Sequence, residues 1–118
     1  MTELDKFGRI IAEDLRDSIL NRYLDIETRH VIPEVQKRFS DELNEFNKEQ
    51  KQFIRSLITA IVTSGIHDFL FALEEKREGI QVLIDGVDLA DASDGLQGEI
   101  FTEDGWFERF SQHKEVGI

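Results

Sequence analysis

His67 and Asp68 are neighbours inside the most apolar stretch of the chain, Phe53 to Leu73. A histidine in apolar surroundings can titrate away from its ordinary value and act as a general base or a metal ligand. Asp68 cannot address the same atom directly, because successive side chains on a helix point about 100° apart. No second histidine stands four residues away to complete a helical metal site. The competing reading is structural: His67 donates to a neighbouring backbone or carboxylate group and Asp68 faces outward. In the catalytic reading, a small hydrolase or ligand-binding enzyme pairs His67 with a carboxylate delivered by residues 91–104, since acid–base chemistry needs both groups within hydrogen-bond reach.

Hard-cation chemistry is the second candidate, because Glu78 to Glu108 holds nine carboxylates and five of the eight glycines without one Lys or Arg. The EF-hand spacing fails there. With Asp94-Gly95 at loop positions five and six, Ala90 and Ala92 fall where ligands are required and Phe101 where a bidentate glutamate belongs. Asp91, Asp94, Glu99 and Asp104 remain as a non-EF cluster, although such loops are usually only solvated, and no metal is assigned to them. Glu27-x-x-His30 has the form of half a di-iron carboxylate motif, but its second copy and two further glutamates are missing. His113 has no partner pattern. Nucleophile elbows, Walker loops and dinucleotide fingerprints are absent, and a chain without cysteine has no thiolate nucleophile and no thiolate metal site. No cofactor is expected, and the balance of these readings is against an enzyme.

The charge pattern points instead to binding. From Ile80 onward nine acids face only Arg109 and Lys114, a net of −7, while residues 1–79 carry sixteen acids and twelve bases, a net of −4; together they give the formal −11. A one-signed surface repels nucleic acid and anionic membrane and raises association rates with a cationic protein. In this reading Asp91, Asp94, Glu99, Glu103 and Asp104 steer a basic partner, in the manner of an immunity protein, antitoxin or inhibitor. Trp106 and Phe107 anchor it if they are exposed; otherwise, with Phe101 and Phe110, they close the core. A homodimer, through the first helix or a free hairpin edge, is the third reading.

The elements that must position these residues read as one domain of 118 residues, mainly α with a small β component. Leu4, Phe7, Ile11, Leu15, Ile19 and Tyr23 recur at helical spacing and predict a helix over about 3–26. Pro33, suited to a first turn, opens a second over about 33–46, with Val35, Phe39, Leu43 and Phe46 as its stripe. Asn47 and Gln50 form a reciprocal cap for a third, about 48–77. Apolar on nearly every side, it is expected to be the central helix of a three-helix bundle, covered from several directions. Thr63-Ser64-Gly65 suggests a bend or a close crossing in its middle.

After Gly79 the period becomes alternating, and Asp85-Gly86 predicts a two-residue hairpin over about 80–90, with Ile84 opposite Val87 and Val82 opposite Leu89. An irregular acidic loop, 91–101, and a short helix, about 103–112, capped by Thr102, follow.

The stretches Gly65-Ile-His-Asp-Phe-Leu-Phe-Ala-Leu73 and Ser93-Asp-Gly-Leu-Gln-Gly-Glu99, continuing to Glu103-Asp-Gly-Trp-Phe107, resemble a family of small, stand-alone, uncharacterised bacterial cytosolic proteins. The resemblance covers about half of the chain. It implies a bacterial cytosolic setting and supplies no catalytic residue, cofactor or substrate. The charged start, which lacks the apolar core of a signal peptide, agrees with a cytoplasmic location.

Overall fold

The Thr2 side chain accepts the Asp5 N–H at 3.1 Å while Asp5 accepts the Thr2 N–H at 3.2 Å, a reciprocal cap that satisfies two donors of a first helical turn. From this cap Glu3–Arg9, Ile10–Asp17 and Ser18–Thr28 run on as one rod, together α1. The computed structural model describes residues 1–30, 32–101 and 103–114. Ile10–Asp17 is π-helical, so each turn holds more residues and the angle between successive side chains narrows. Sequence neighbours Arg16 and Asp17 are both buried there.

Pro33 precedes a 3-10 turn, Glu34–Gln36, that leads into α2, Lys37–Asn44. Asn47 and Gln50 then exchange two 2.8 Å hydrogen bonds, the cap read from the sequence, and open α3, Lys48–Glu74. Lys76, Glu78 and Gly79 all have positive φ, and this left-handed turn stops α3 short of residue 77.

In the hairpin, β1 (Leu83–Ile84) pairs antiparallel with β2 (Val87–Asp88), Ile84 opposite Val87. Asp85 and Gly86 have φ of 50° and 82°, as the type I′ reading of Asp-Gly requires. The Leu89 N–H donates to the Val82 carbonyl at 3.0 Å, continuing the expected register. Lys6 reaches the turn at Asp85, 2.6 Å away. Asp88 caps a single helical turn, α4 (Leu89–Ala92), by accepting the Ala90 N–H at 3.0 Å.

The stretch expected to be an irregular loop is more ordered than its composition suggests. It contains the end of α4 and a 3-10 helix, Leu96–Ile100, whose first and last residues are buried against α3. Two apolar residues four apart organised this segment, and its glycines and acids masked them. Gly105 leads into α5, Trp106–Phe110; the expected cap, Thr102, lies outside the described residues.

One core joins Ile11 and Ala12 of α1, Ile66, Leu70 and Leu73 of α3, and Leu89, Leu96, Ile100, Trp106 and Phe107 from the last third of the chain. Trp106 is 1% exposed and lies edge-on to Phe7, with ring centres 5.9 Å apart. Its indole rests on Gly8, where a Cβ would come within 2.4 Å of the ring.

The molecule is therefore mainly helical with one small hairpin, but α3 is not covered from all sides. Its buried residues, Thr59, Thr63, Ile66, Leu70 and Leu73, share one side, and Phe53, Leu57, Ile61 and Phe69 are exposed. The helix continues through Thr63-Ser64-Gly65, and no atom of another element lies within 4 Å of a Cβ built on Gly65. No crossing inside the described chain accounts for that glycine.

The two glycines should respond oppositely to alanine. Gly8→Ala is expected to cost about 3 kcal/mol, because overpacking forces the indole off its seat. Gly65→Ala should gain up to ~1 kcal/mol from helix propensity. Urea unfolding of each variant checks this, and equal midpoints for the two would refute the packing described.

Candidate functional site

His67 and Asp68 lie on the outer surface of α3. The His67 Nδ1 is 3.3 Å from Asp68 Oδ1, so the two side chains bend toward each other despite their divergent starting directions. Asp68 is 84% exposed in its side chain, and the imidazole stacks at a tilt on Phe101, ring centres 5.9 Å apart. His67 lines none of the three hollows described below. Asp68 thus faces outward beside its histidine. Glu27 is committed elsewhere: its Oε2 accepts the Arg55 Nε at 2.8 Å, while His30 is exposed. No group of three or more His, Asp or Glu side chains able to hold a metal occurs among the described residues.

The carboxylates of the last third divide into two sets. Asp85 pairs with Lys6, and Asp88 and Asp91 share Lys76 at 3.2 and 3.1 Å; Asp91, then Asp88, holds the Lys76 ammonium above its usual range. Glu99 accepts the Ser93 hydroxyl at 2.9 Å. Asp94, Glu103 and Asp104 are exposed and form no ion pair among the described residues. Part of the expected steering surface is thus neutralised by lysines from α1 and the end of α3. Exposure, the condition for anchoring by Trp106 and Phe107, is not met: they are 1% and 9% exposed. They close the core.

Sequence reasoning missed a buried polar network at the centre of the fold. Arg16 donates through Nε to Thr63 at 3.4 Å and through one terminal nitrogen to Ser111 Oγ at 2.9 Å and the His113 carbonyl at 3.2 Å. Its guanidinium carbon lies 4.4 Å from the centre of the Phe107 ring, a cation–π contact that favours the charged form. Ser111 in turn donates to Asp17 at 2.6 Å, and Asp17 also accepts the Gln112 N–H at 2.8 Å. The hydroxyl of Ser111 thereby bridges two buried charges. Burial pushes the Arg16 guanidinium down from its usual value, and Asp17 partly restores it. The only sequence signal was Arg16-Asp17 next to an apolar stripe, which reads as a solvated face when straight α-helical geometry is assumed.

Beside this network a hollow of 130 Å³ is lined by Leu20, Tyr23, Leu24, Arg55, Thr59 and His113. The hydroxyl of Tyr23, which lines this hollow, and Oε1 of Glu27, which does not, are both buried without a hydrogen-bond partner among the described residues. Burial first, and the Glu27 carboxylate second, push the Tyr23 phenol up to about 12. A wider hollow of 360 Å³ opens between α1, α2 and α3, walled by Ile26, Phe39, Leu43, Phe46, Ile54 and Ile58 among others. A shallower depression at Phe46, Phe53 and Ile54 continues it onto α3.

From there Phe53, Leu57, Ile61, Gly65 and Phe69 follow at a spacing of four, a continuous ridge on the outer side of the helix. Phe53 is 67% and Ile61 64% exposed. This row is apolar and exposed, and no side chain of the core cluster lies on it. No protein-family model matches the chain, and neither the curated proteins nor the solved structures compared with it gave a match.

Two measurements test the buried groups. Asp17→Ala strips Ser111 and Gln112 of their acceptor and leaves Arg16 buried without its counter-charge; an expected loss of about 3 kcal/mol follows from breaking a buried charge network. Ser111→Ala should cost less, about 1–2 kcal/mol, and a urea series that ranks them the other way counts against the bridge. Tyr23 is the only tyrosine, so its ionisation can be followed directly by ultraviolet absorbance. The folded phenol should titrate near pH 12 while the unfolded one titrates near 10, so its contribution is fully present below pH 10 and is lost as the pH rises toward 12. A midpoint near 10 in the folded protein would show the hydroxyl to be solvated.

Proposed function

We propose that the chain is a protein-interaction module whose contact element is the outer ridge of α3. The observation that carries this reading is the row Phe53, Leu57, Ile61 and Phe69, exposed on the most apolar helix of the molecule. With ~200 Å² for each large side chain, their fractional exposures together with that of the adjoining Phe46 sum to roughly 500 Å². Monomeric proteins seldom show contiguous apolar patches beyond a few hundred Å², and larger ones mark docking surfaces.

Chemistry supports a protein over the other surfaces that could cover such a ridge. α3 is long and apolar enough to cross a membrane by length and composition, yet its opposite side carries the core and the hydrogen bond of Arg16 to Thr63. A net charge of −11 opposes approach to nucleic acid and to anionic lipid. The expectation of a basic partner, immunity-like in manner, is the narrower form of this reading and rests on the exposed Asp94, Glu103 and Asp104. A cytoplasmic, bacterial setting is part of the same proposal.

A photoreactive amino acid at Ile61 tests it in cells that express the full chain. Conjugates with polypeptide should form at Ile61 and decline at least tenfold when Phe53→Glu is added, while the same probe at exposed Glu13 of α1 yields few. If Ile61 and Glu13 give equal yields, the ridge is not a contact element and the reading falls.

A further inference from the structure

We infer that the ridge of α3 is covered by a second copy of the chain, packed antiparallel across a two-fold axis that passes near Ile61. This rests on the interaction reading above and names its partner.

Area is the first argument. The accessible surface is 7647 Å² for a mass of 13.7 kDa, whereas a compact monomer of that mass exposes about 6,600 Å². The radius of gyration, 16.4 Å, likewise exceeds the ~13.5 Å of a compact domain this long. The excess, on the order of 1,000 Å², is comparable with the ~800 Å² that each partner contributes to a stable interface. The ridge itself exposes roughly 500 Å² of apolar side chain.

Symmetry is the second. Leu57 and Gly65 stand four residues to either side of Ile61, and Phe53 and Phe69 eight. Under a two-fold axis at Ile61, Leu57 of each copy meets Gly65 of the other, the one position on the ridge with no side chain and with open space above it. Ridges at a spacing of four packing into the matching grooves of an identical helix form the commonest class of helix crossing. Gly65, which costs helix propensity without a reason among the described residues, gains one: it is the seat for Leu57. The same operation brings the Phe53 end, with the hollow at Phe46 and Ile54, against Phe69 of the second copy.

Charge selects the direction. The first half of α3 carries Lys48 and Lys51 against Glu49, with Arg55 already paired to Glu27, while its second half carries Asp68 and Glu74; Glu75, Lys76 and Arg77 follow just beyond its end. Antiparallel packing sets the positive half of each helix beside the negative half of the other and opposes their dipoles. Parallel packing sets like beside like.

The experiment uses the full chain, which has no native cysteine. Light scattering on the eluted protein at micromolar to 100 µM concentration should give twice 13.7 kDa. Leu57→Glu should weaken association at least 100-fold and return the mass to that of one chain. Gly65→Leu should do the same while its thermal midpoint as a single chain is kept or raised, which separates a blocked seat from a failed fold. A short bis-maleimide should link Ile61→Cys chains to each other. It should not link Phe53→Cys chains, whose cysteines would lie about 24 Å apart along the helix, but should link Phe53→Cys to Phe69→Cys in a mixture.

A wild-type chain that stays at 13.7 kDa, or one in which Phe53→Cys links to itself, overturns the inference. A monomer that still forms ridge-dependent conjugates with another polypeptide overturns the second copy and leaves the interaction reading standing. A monomer that instead floats with neutral phosphatidylcholine vesicles, and loses this with Leu57→Glu, overturns both.

Discussion

The contact on which the rest of the fold depends is the indole of Trp106 seated on the bare backbone of Gly8. A short five-residue helix has little stability of its own, so α5 exists because its tryptophan finds a site where no Cβ intervenes. Once seated, it brings Phe107 under Arg16 and draws Leu96 and Ile100 onto Ile66 and Leu70. The C-terminal third thereby becomes a cover for one side of α3. Dispersion and burial supply the energy, but the steric vacancy at Gly8 decides where they are spent.

That cover is held down by polar groups whose burial would be unfavourable anywhere else. Arg16 and Asp17 are withdrawn from water, and their cost is offset only because Ser111, Gln112 and the His113 carbonyl complete their hydrogen bonds. Arg16 and Asp17 both stand in the π-helical stretch of α1, where the angle between successive side chains is narrower. Asp5 and Arg109 repeat the connection nearer the start of α1, 2.7 Å apart, and the guanidinium holds the Asp5 carboxyl down to about 2. The chain terminus is thus strapped across α1 at two points, with the indole between them.

Local signals were legible in the sequence wherever a few adjacent residues decide the conformation. Asn47 with Gln50 and Asp85 with Gly86 behave as their spacing dictates, because capping and positive φ are settled within four residues. The apolar stripes located the helices for the same reason. What could not be read was which side of α3 would find a partner. Leu57 and Leu70 are equally apolar in the sequence, yet one is exposed and the other fully buried, a difference fixed by a cover, Leu96 and Ile100, that lies far along the chain. The Arg16 network was hidden by the assumption of straight helical geometry. Trp106 and Phe107 could be placed as core or as surface only after Gly8 was known to receive the indole. The acids of the final third looked like a single field, but Lys6 and Lys76, which lie outside that stretch, neutralise part of it.

The asymmetry of α3 follows from length. Residues 96–113 are enough chain to cover the buried side of a 27-residue helix, and α2, which packs on the end of α1, leaves a hollow instead of a cover over Ile54 and Ile58. Nothing remains in the described chain to lie over Phe53, Leu57 and Ile61. A helix as apolar as this one with only its inner side buried would ordinarily be replaced at its outer positions by charged residues, since each exposed Phe or Leu contributes no folding energy and promotes association. The outer positions nevertheless keep their Phe, Leu and Ile in a row around a single glycine, while the charges are confined to the two ends of the helix and to the surfaces away from it. Apolar side chains gathered on one ridge, with charge toward the ends of the helix, are the division of labour that the proposed association draws on.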